Sequence, residues 1–306
     1  MNKMYDIIVV GGGPAGLTAA IYGCRGGKSV LVLEKETFGG QIATSPKVEN
    51  YPSINSISGI ELADRMLEHA TFLGAEVDID EITHIEKKDN VFNLTGEYGT
   101  YQAKAVILAL GCKHRMLEAK NIEKYYDSGI SYCAVCDGDF YKGQDVCLIG
   151  DANTALQYGL LLSGVCNHVD VCTLFDRFFG EEPLIEALKK QSNVTIHHNY
   201  LLEEVFGDEA LTGLRFKNTQ DHSSLDLKVS GLFIAIGQVP NNDNFQNVAD
   251  LDENGYFYAT ENCETKTSGL FVAGDCRAKA LRQVSTACGD AAVAAQNAIA
   301  YLAKIS

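Results

Sequence analysis

The sequence predicts an α/β protein with two parallel-sheet domains, on three observations. Near the amino terminus a strand-length apolar run, Tyr5–Val10, meets Gly11-Gly12-Gly13-Pro14-Ala15-Gly16, and an alanine-rich helical stretch follows from about Leu17. In the middle of the chain a second such run, Asp145–Ile149, meets Gly150 and again leads into a helical pattern. Near the carboxy terminus a strand over Gly269–Ala273 ends at Gly274-Asp275, and a long alanine-rich helix is expected from about Gln283 to Ala303. Strands alternating with helices in this way build parallel sheets of the Rossmann kind. The length of 306 residues suits about two domains of ordinary size.

The first of these segments is the most specific. In G-x-G-x-x-G, Gly11 permits the tight turn, Gly13 lets backbone approach a pyrophosphate, and Gly16 lets the helix pack against the strand. The helix N-terminus then supplies unpaired N–H groups and a positive dipole end for the phosphates. A second strand, Ser29–Leu33, ends at Glu34, at the spacing where an acid accepts from a ribose 2′-OH. A dinucleotide site is therefore expected, of kind not fixed by these residues alone.

Composition excludes several classes. The net charge of −15 argues against nucleic acid, whose backbone demands clustered Lys and Arg, and against polybasic membrane attachment. No stretch approaches the ~20 apolar residues that span a bilayer. The first residues are polar and carry no export signal, so a cytoplasmic location is expected. Reduced thiols are the default there, although the chain has ten cysteines. Cys24, Cys112, Cys147, Cys166, Cys172, Cys263, Cys276 and Cys288 lack a partner at short spacing and read as small buried hydrophobes.

Cys133-Ala134-Val135-Cys136 is different. A C-x-x-C brings two thiols within reach of a disulfide in one helical turn, and a thiolate at a helix start has a lowered pKa. Exchange then runs through a mixed disulfide with a partner. A zinc site needs two more ligands, and the chain has no second C-x-x-C; His197 and His198 are adjacent and expected to point apart. An iron–sulfur cluster lacks ligands for the same reason.

Three stretches carry a family resemblance. They are Glu34-Lys35-Glu36-Thr37-Phe38-Gly39-Gly40-Gln41 with Val48-Glu49-Asn50-Tyr51-Pro52; Ser131-Tyr132-Cys133-Ala134-Val135-Cys136-Asp137-Gly138; and Thr267 through Val284. Together they resemble the low-molecular-weight thioredoxin reductases. The resemblance implies FAD as the dinucleotide, held by Gly11, Gly13, Pro14, Ala15, Glu34, Lys35, Gly40, Gln41 and Asn50. From the carboxy-terminal segment it adds Gly274, Asp275, Arg282, Gln283 and Val284. It implies that Cys136 faces the flavin, that Cys133 attacks thioredoxin, and that Asp137 gives and takes the thiol proton. A carboxylate in that role needs a raised pKa and partial desolvation. It further implies a split FAD domain, residues 1–115 and 241–306, with a redox domain of residues 116–240 inserted into it. Short double crossings suit a hinge. A homodimer is implied as well.

The chain departs from that family in its inserted domain. Asp151 and Ala152 follow Gly150 where members that use NADPH have glycines. A methyl group thus stands where backbone should meet pyrophosphate, and a carboxylate stands in the anion nest. At ~4 Å and an effective dielectric near 20, like unit charges repel by about 4 kcal/mol, roughly a thousandfold in affinity. A strand expected over Val169–Phe175 should lead to an arginine cluster for the 2′-phosphate. Instead the chain reads Phe175-Asp176-Arg177-Phe178-Phe179-Gly180-Glu181, and only Arg177 remains. NADPH is not expected. Asp176 stands about where an NAD-ribose acid belongs, but pyrophosphate binding comes before ribose reading.

A disulfide reductase without that site needs another donor. The chain most resembles the ferredoxin-dependent flavin thioredoxin reductases. Ferredoxins near −400 mV and thioredoxin near −270 mV leave roughly 6 kcal/mol for two electrons. An acidic ferredoxin would need a basic patch, for which Lys113, His114, Arg115, Lys142, Arg277, Lys279 and Arg282 are candidates. The alternatives are an NADH-dependent reductase, a dithiol oxidase using oxygen, a deazaflavin-using reductase, and a redox sensor without turnover.

Overall fold

A computed structural model describes residues 3–45, 47–126 and 128–305. The chain opens with β1 (Met4–Val10), α1 (Pro14–Arg25), β2 (Val30–Glu34), α2 (Gly59–Phe72), β3 (Glu76–Ile79), β4 (Ile82–Lys88), β5 (Val91–Gly96) and β6 (Thr100–Leu108). It divides into two compact units, Met1–Lys113 with Val239–Ser306, and His114–Gln238. The chain passes from one to the other within β7 (Lys113–His114). The second unit contains β8 (Ile130–Ser131), α3 (Ala134–Asp137), β9 (Asp145–Ile149), α4 (Asn153–Ser163), β10 (His168–Cys172), α5 (Glu182–Lys189) and β11 (Val194–His197). After these come β12 (Tyr200–Gly207), β13 (Leu211–Asn218), β14 (Ser224–Leu227) and β15 (Gly231–Ile234). The return passes through β16 (Gln238–Val239) to β17 (Leu270–Val272) and α6 (Val284–Ile305).

The first unit is a seven-stranded sheet in the order β3-β2-β1-β6-β5-β4, with β17 also on β6. The first half of β6 pairs antiparallel with β5, and its second half pairs parallel with β17. One long strand therefore lies between the amino-terminal strand β1 and the carboxy-terminal return β17. β1 shows why its sequence is a continuous apolar run. Ile7 and Val9 enter the cluster that includes Leu17, Ala19, Ala291, Ala294 and Ala298. Ile8 and Val10 enter the opposite cluster with Leu31, Leu33, Phe92 and Leu94. Alternate side chains of a strand leave on opposite faces, and both faces here are covered.

α1 begins at Pro14 rather than near Leu17. Proline fits the first helical position, where its missing N–H is no loss. A Cβ on Gly16 would lie 1.8 Å from the Gly11 carbonyl oxygen. Gly16→Ala is therefore expected to destabilise the fold on the order of 3 kcal/mol, a shift that thermal denaturation measures directly.

The second unit holds a five-stranded parallel sheet, β11-β10-β9-β15-β8, and a three-stranded antiparallel sheet, β12-β13-β14. The strand expected to run to Phe175 stops at Cys172. The Thr173 hydroxyl meets the Phe175 carbonyl and His198 Nδ1, each at 2.7 Å, and this local bonding turns the chain away. Asp176 therefore lies beyond the strand, in the turn that follows it. His197 Nε2 reaches Asp170 Oδ1 at 2.7 Å, so the two histidines do address different partners. Among the described residues, no helix is long and apolar enough to cross a membrane.

Candidate active site

Cys133 and Cys136 form a disulfide, with S–S 2.12 Å and Cα atoms 5.3 Å apart. They can do so because residues 134–137 make one helical turn, α3, with Cys133 as its N-cap. The Cys136 amide donates to Cys133 Sγ at 3.2 Å, a contact that stabilises sulfur charge on Cys133. Both cysteines are half-buried, and Val135 between them is exposed.

Asp137 closes the same turn. Its Oδ2 accepts from the Ser131 hydroxyl at 2.6 Å, while Oδ1 is buried with no hydrogen-bond partner. Burial pushes the Asp137 carboxyl above the ordinary carboxylate range, and the Ser131 hydrogen bond opposes this. The sequence expectation of a partly desolvated acid is thus matched by the local environment. Ser131 was not singled out from the sequence for any role. Its signal is a polar residue inside a strand, two residues before the first cysteine, and it is only 5% exposed. Tyr132, between Ser131 and Cys133, stacks on His114 with ring centroids 4.7 Å apart. Burial pushes the His114 imidazole below its usual value.

In the first unit, residues far apart in sequence converge on the glycine loop. Gly11 has φ +107°, and a Cβ there would lie 2.3 Å from the Ala109 carbonyl oxygen. The nearest atoms to a Cβ on Gly13 would be backbone atoms of Gly39 and Gly40, so these two loops approach closely. Gly40 opens a 3-10 turn, Gly40–Thr44, in which Gln41 is exposed. From the carboxy-terminal side, a Cβ on Gly274 would lie 2.8 Å from Ala15 Cβ. Cys288 Sγ contacts the Pro14 carbonyl at 3.9 Å. Asn50 Nδ2 donates to Gln283 Oε1 at 3.1 Å, although 233 residues separate them. Val284 starts α6 directly after.

Glu34, at the end of β2, reaches back to the glycine loop. Its Oε2 takes the Gly12 amide at 2.6 Å, and its Oε1 takes the Lys35 amide at 2.9 Å. The Lys35 ammonium pairs with Glu36 at 3.5 Å. Asp275 is pushed up by burial and held back by Lys279 and Arg282, and its Oδ1 has no hydrogen-bond partner. That oxygen is 3.6 Å from the Lys279 ammonium, an ion pair without a hydrogen bond, and beside a cradle of glycines it has room to accept from a polar ligand. Arg282 donates to the Asp275 carbonyl at 3.1 Å and lies 3.9 Å over the Tyr256 ring.

Two members of the expected basic patch are placed otherwise, while Lys113, Arg115 and Lys142 are exposed. Lys279 is 9% exposed and Arg277 16%, and both pair with Asp290 at 3.0 and 3.1 Å. They are internal cations that hold the Gly274 turn, whose amide also donates to Asp290. They are not surface charges for docking.

A family model described as pyridine nucleotide-disulphide oxidoreductase matches residues 5–291. The chain belongs to that family. It is 37% identical over 305 residues to a thioredoxin reductase of Listeria monocytogenes, covering 99% of this chain and 96% of the relative. It is also 37% identical to a 34.2 kDa protein in the rubredoxin operon of Clostridium pasteurianum, over 98% of both chains. The solved thioredoxin reductase of Streptococcus pyogenes superposes with a TM-score of 0.94 at 32% identity, covering 99% of this chain and 100% of that one. The family's architecture, mixed α/β with parallel sheets, is the one seen here.

The family is described by its pyridine nucleotide, so the loop after β9 bears on its chemistry. Gly150 keeps φ +154°, and a Cβ there would lie 2.5 Å from the Ala235 carbonyl oxygen. The tight turn is thus intact. Ala152 after it is exposed, while Asp151 and Asn153 bond to a later segment of the same unit. The Phe179 amide donates to the Asp151 carbonyl at 2.7 Å. The Glu181 amide donates to Asn153 Oδ1 at 2.8 Å, and Asn153 Nδ2 returns a bond to Glu181 Oε1 at 3.0 Å. A Cβ on Gly180 would lie 2.8 Å from Asn153 Oδ1 and 2.3 Å from Leu156. Residues 179–181 therefore lie across the first turn of α4, anchored by buried Phe178. Burial also pushes the Asp151 carboxyl upward. The Asn153–Glu181 pair was not expected from the sequence, because the partners are 28 residues apart.

Proposed function

We propose that the chain is a flavin-dependent thioredoxin reductase that takes its electrons from reduced ferredoxin and passes them through FAD and the Cys133–Cys136 pair to thioredoxin. The reading further places it in the cytoplasm as a homodimer. The observation that carries the donor assignment is the strap of residues 179–181 across the start of α4, with the carboxylates of Asp151 and Glu181 beside it. Helix N-termini accept phosphates through unpaired N–H groups. Here two carboxylates already stand at that end, and an incoming pyrophosphate would meet like charge.

FAD fits the first unit, with Gly11, Gly13, Pro14 and Ala15 at its pyrophosphate and Asp275 at its polyol. Glu34, Lys35, Gly40, Gln41, Asn50, Gly274, Arg282, Gln283 and Val284 would complete the site. A flavin held there would supply the conversion of single electrons from an iron–sulfur donor into the pair a disulfide requires. In this reading Cys136 is the thiol on the flavin side, and Cys133 attacks thioredoxin. Asp137 takes the proton of the attacking thiol and returns it to the thiolate that leaves thioredoxin. The Cys136 amide on Cys133 Sγ supports that choice of nucleophile.

A second reading rests on Asp176. It lines a surface groove of about 570 Å³ with Phe175, Asn199, Thr219 and Gln220, which suits a ribose acceptor and hence NADH. That groove does not include the loop Gly150–Asn153, so the pyrophosphate would lack its seat. Anaerobic titration of the flavin absorbance distinguishes the two readings. Reduced ferredoxin is expected to bleach the flavin and generate thioredoxin thiols, while NADPH and NADH leave it oxidised. Fast, stoichiometric bleaching by NADH would sink the ferredoxin reading.

A further inference from the structure

We infer that Ser131 is a positioning residue that fixes which oxygen of Asp137 carries the exchanged proton. The inference rests on the proposed role of Asp137 as proton carrier and deepens it. Ser131 ends the two-residue strand β8, paired in parallel with Phe233 of β15. Its side chain is buried, so its hydroxyl has two partners and no recourse to bulk water. The Cys133 amide donates to Ser131 Oγ at 3.0 Å. An amide N–H can only donate, so Oγ is the acceptor there. A hydroxyl has a single proton. That proton is left for Asp137 Oδ2, at 2.6 Å.

Oδ2 is consequently the acceptor when the carboxyl is ionised, and a proton on Oδ2 would leave the buried Ser131 hydroxyl hydrogen without an acceptor, so protonation there is disfavoured. When Asp137 takes a proton, it goes to Oδ1, the buried oxygen that lacks a hydrogen-bond partner. The proton path is then atom-specific. The thiol proton of Cys133 moves to Asp137 Oδ1 as Cys133 Sγ attacks one sulfur of the thioredoxin disulfide. The thioredoxin S–S bond breaks as the new S–S bond forms, and the same proton passes from Oδ1 to the released sulfur. Cys136 then attacks Cys133 Sγ, the Cys133–Cys136 bond forms as the mixed disulfide breaks, and the Cys136 thiol proton goes to the second released thioredoxin sulfur, so two electrons and two protons have moved. Ser131 keeps its own proton throughout. It also ties the carboxyl to the amide of the attacking cysteine, so acid and nucleophile turn as one body.

The surroundings make this hydroxyl matter. The titratable neighbours that feel the Asp137 charge are Tyr141 and Tyr158, and burial pushes both phenols further up. They stay protonated through the working range. Among the described residues no cation contributes to holding the carboxylate, and Ser131 is the group that opposes the effect of burial. Removing it raises the carboxyl further.

The test uses the FAD-loaded protein with reduced ferredoxin and thioredoxin in excess. Ser131→Ala is expected to slow turnover about tenfold and to move the acid limb of the pH–rate profile to higher pH, because the ionised base forms later. Ser131→Thr keeps the hydroxyl, and its limb is expected to coincide with that of the unaltered protein. Flavin absorbance and melting temperature report whether each variant folds. An Ala variant that folds and keeps the original limb would overturn the inference. Should the Ala variant not fold, a displaced limb in the Thr variant would overturn it equally, and an unmoved one supports it. A slow Asp137→Asn with an unmoved limb in Ser131→Ala removes this inference alone. An Asp137→Asn as fast as the unaltered protein removes the role of Asp137 as well.

Discussion

Replacing either cysteine of the disulfide by serine is expected to lower thioredoxin reduction by at least ~10³-fold while leaving the flavin bound, since among the described residues the other cysteines are free thiols, buried or half-buried, and outside this pair. The two substitutions should then part company in a trapping experiment. Thioredoxin with one cysteine, activated as an aromatic mixed disulfide, offers a sulfur that cannot be resolved internally. Cys136→Ser retains Cys133, half-buried with the Cys136 backbone amide on its sulfur, and is expected to form a stable covalent complex. Cys133→Ser is expected to form little. A non-reducing gel that shows the complex with Cys133→Ser instead reverses the assignment of the two thiols. This outcome leaves the fold and the family untouched, because neither depends on which sulfur leads.

The second large effect concerns Asp137. Asp137→Asn is expected to slow turnover by about 10²–10⁴-fold, the usual contribution of a positioned acid–base group. It also has a stability consequence of opposite sign. Burial raises the Asp137 pKa in the folded state above its unfolded value. A carboxyl with a raised folded pKa contributes stability that is fully present below its unfolded pKa. That contribution is lost as pH rises through the folded pKa. At neutral pH the ionised group therefore works against folding, and the neutral amide removes that cost. Melting temperature is expected to be higher for Asp137→Asn than for the unaltered protein near pH 7, with the gap closing on acidification. A variant both slow and less stable at neutral pH would mean that Asp137 holds the turn together rather than moving a proton.

How much of this was legible beforehand varies with the distance over which each feature acts. The glycine loop was legible because each glycine answers a local demand. Gly11 sits at φ +107° and Gly16 under the Gly11 carbonyl, and only residues without Cβ meet both conditions. The C-x-x-C was legible for the same reason, since one helical turn sets the distance between its sulfurs. Strand β10 was overrun by three residues because the Thr173 hydroxyl finds a carbonyl and a histidine that no periodicity reveals. Arg277 and Lys279 read as surface cations, as basic residues usually are. Their burial on Asp290 depends on α6 packing beside β17, a tertiary event.

The α/β class, the two glycine turns and the redox pair were written into neighbouring residues, because backbone sterics and short-range covalent reach are local; the acid beside the pair followed from the family resemblance. Only the tertiary structure decided where the carboxylates go. It turned Glu34 onto the Gly12 amide and tied Glu181 to Asn153 across the start of α4. It also left one oxygen of Asp137 bonded to Ser131 and the other alone. A carboxylate has two acceptor oxygens and a flexible stem, so its partner is chosen by whichever donor the packed fold brings within about 3 Å.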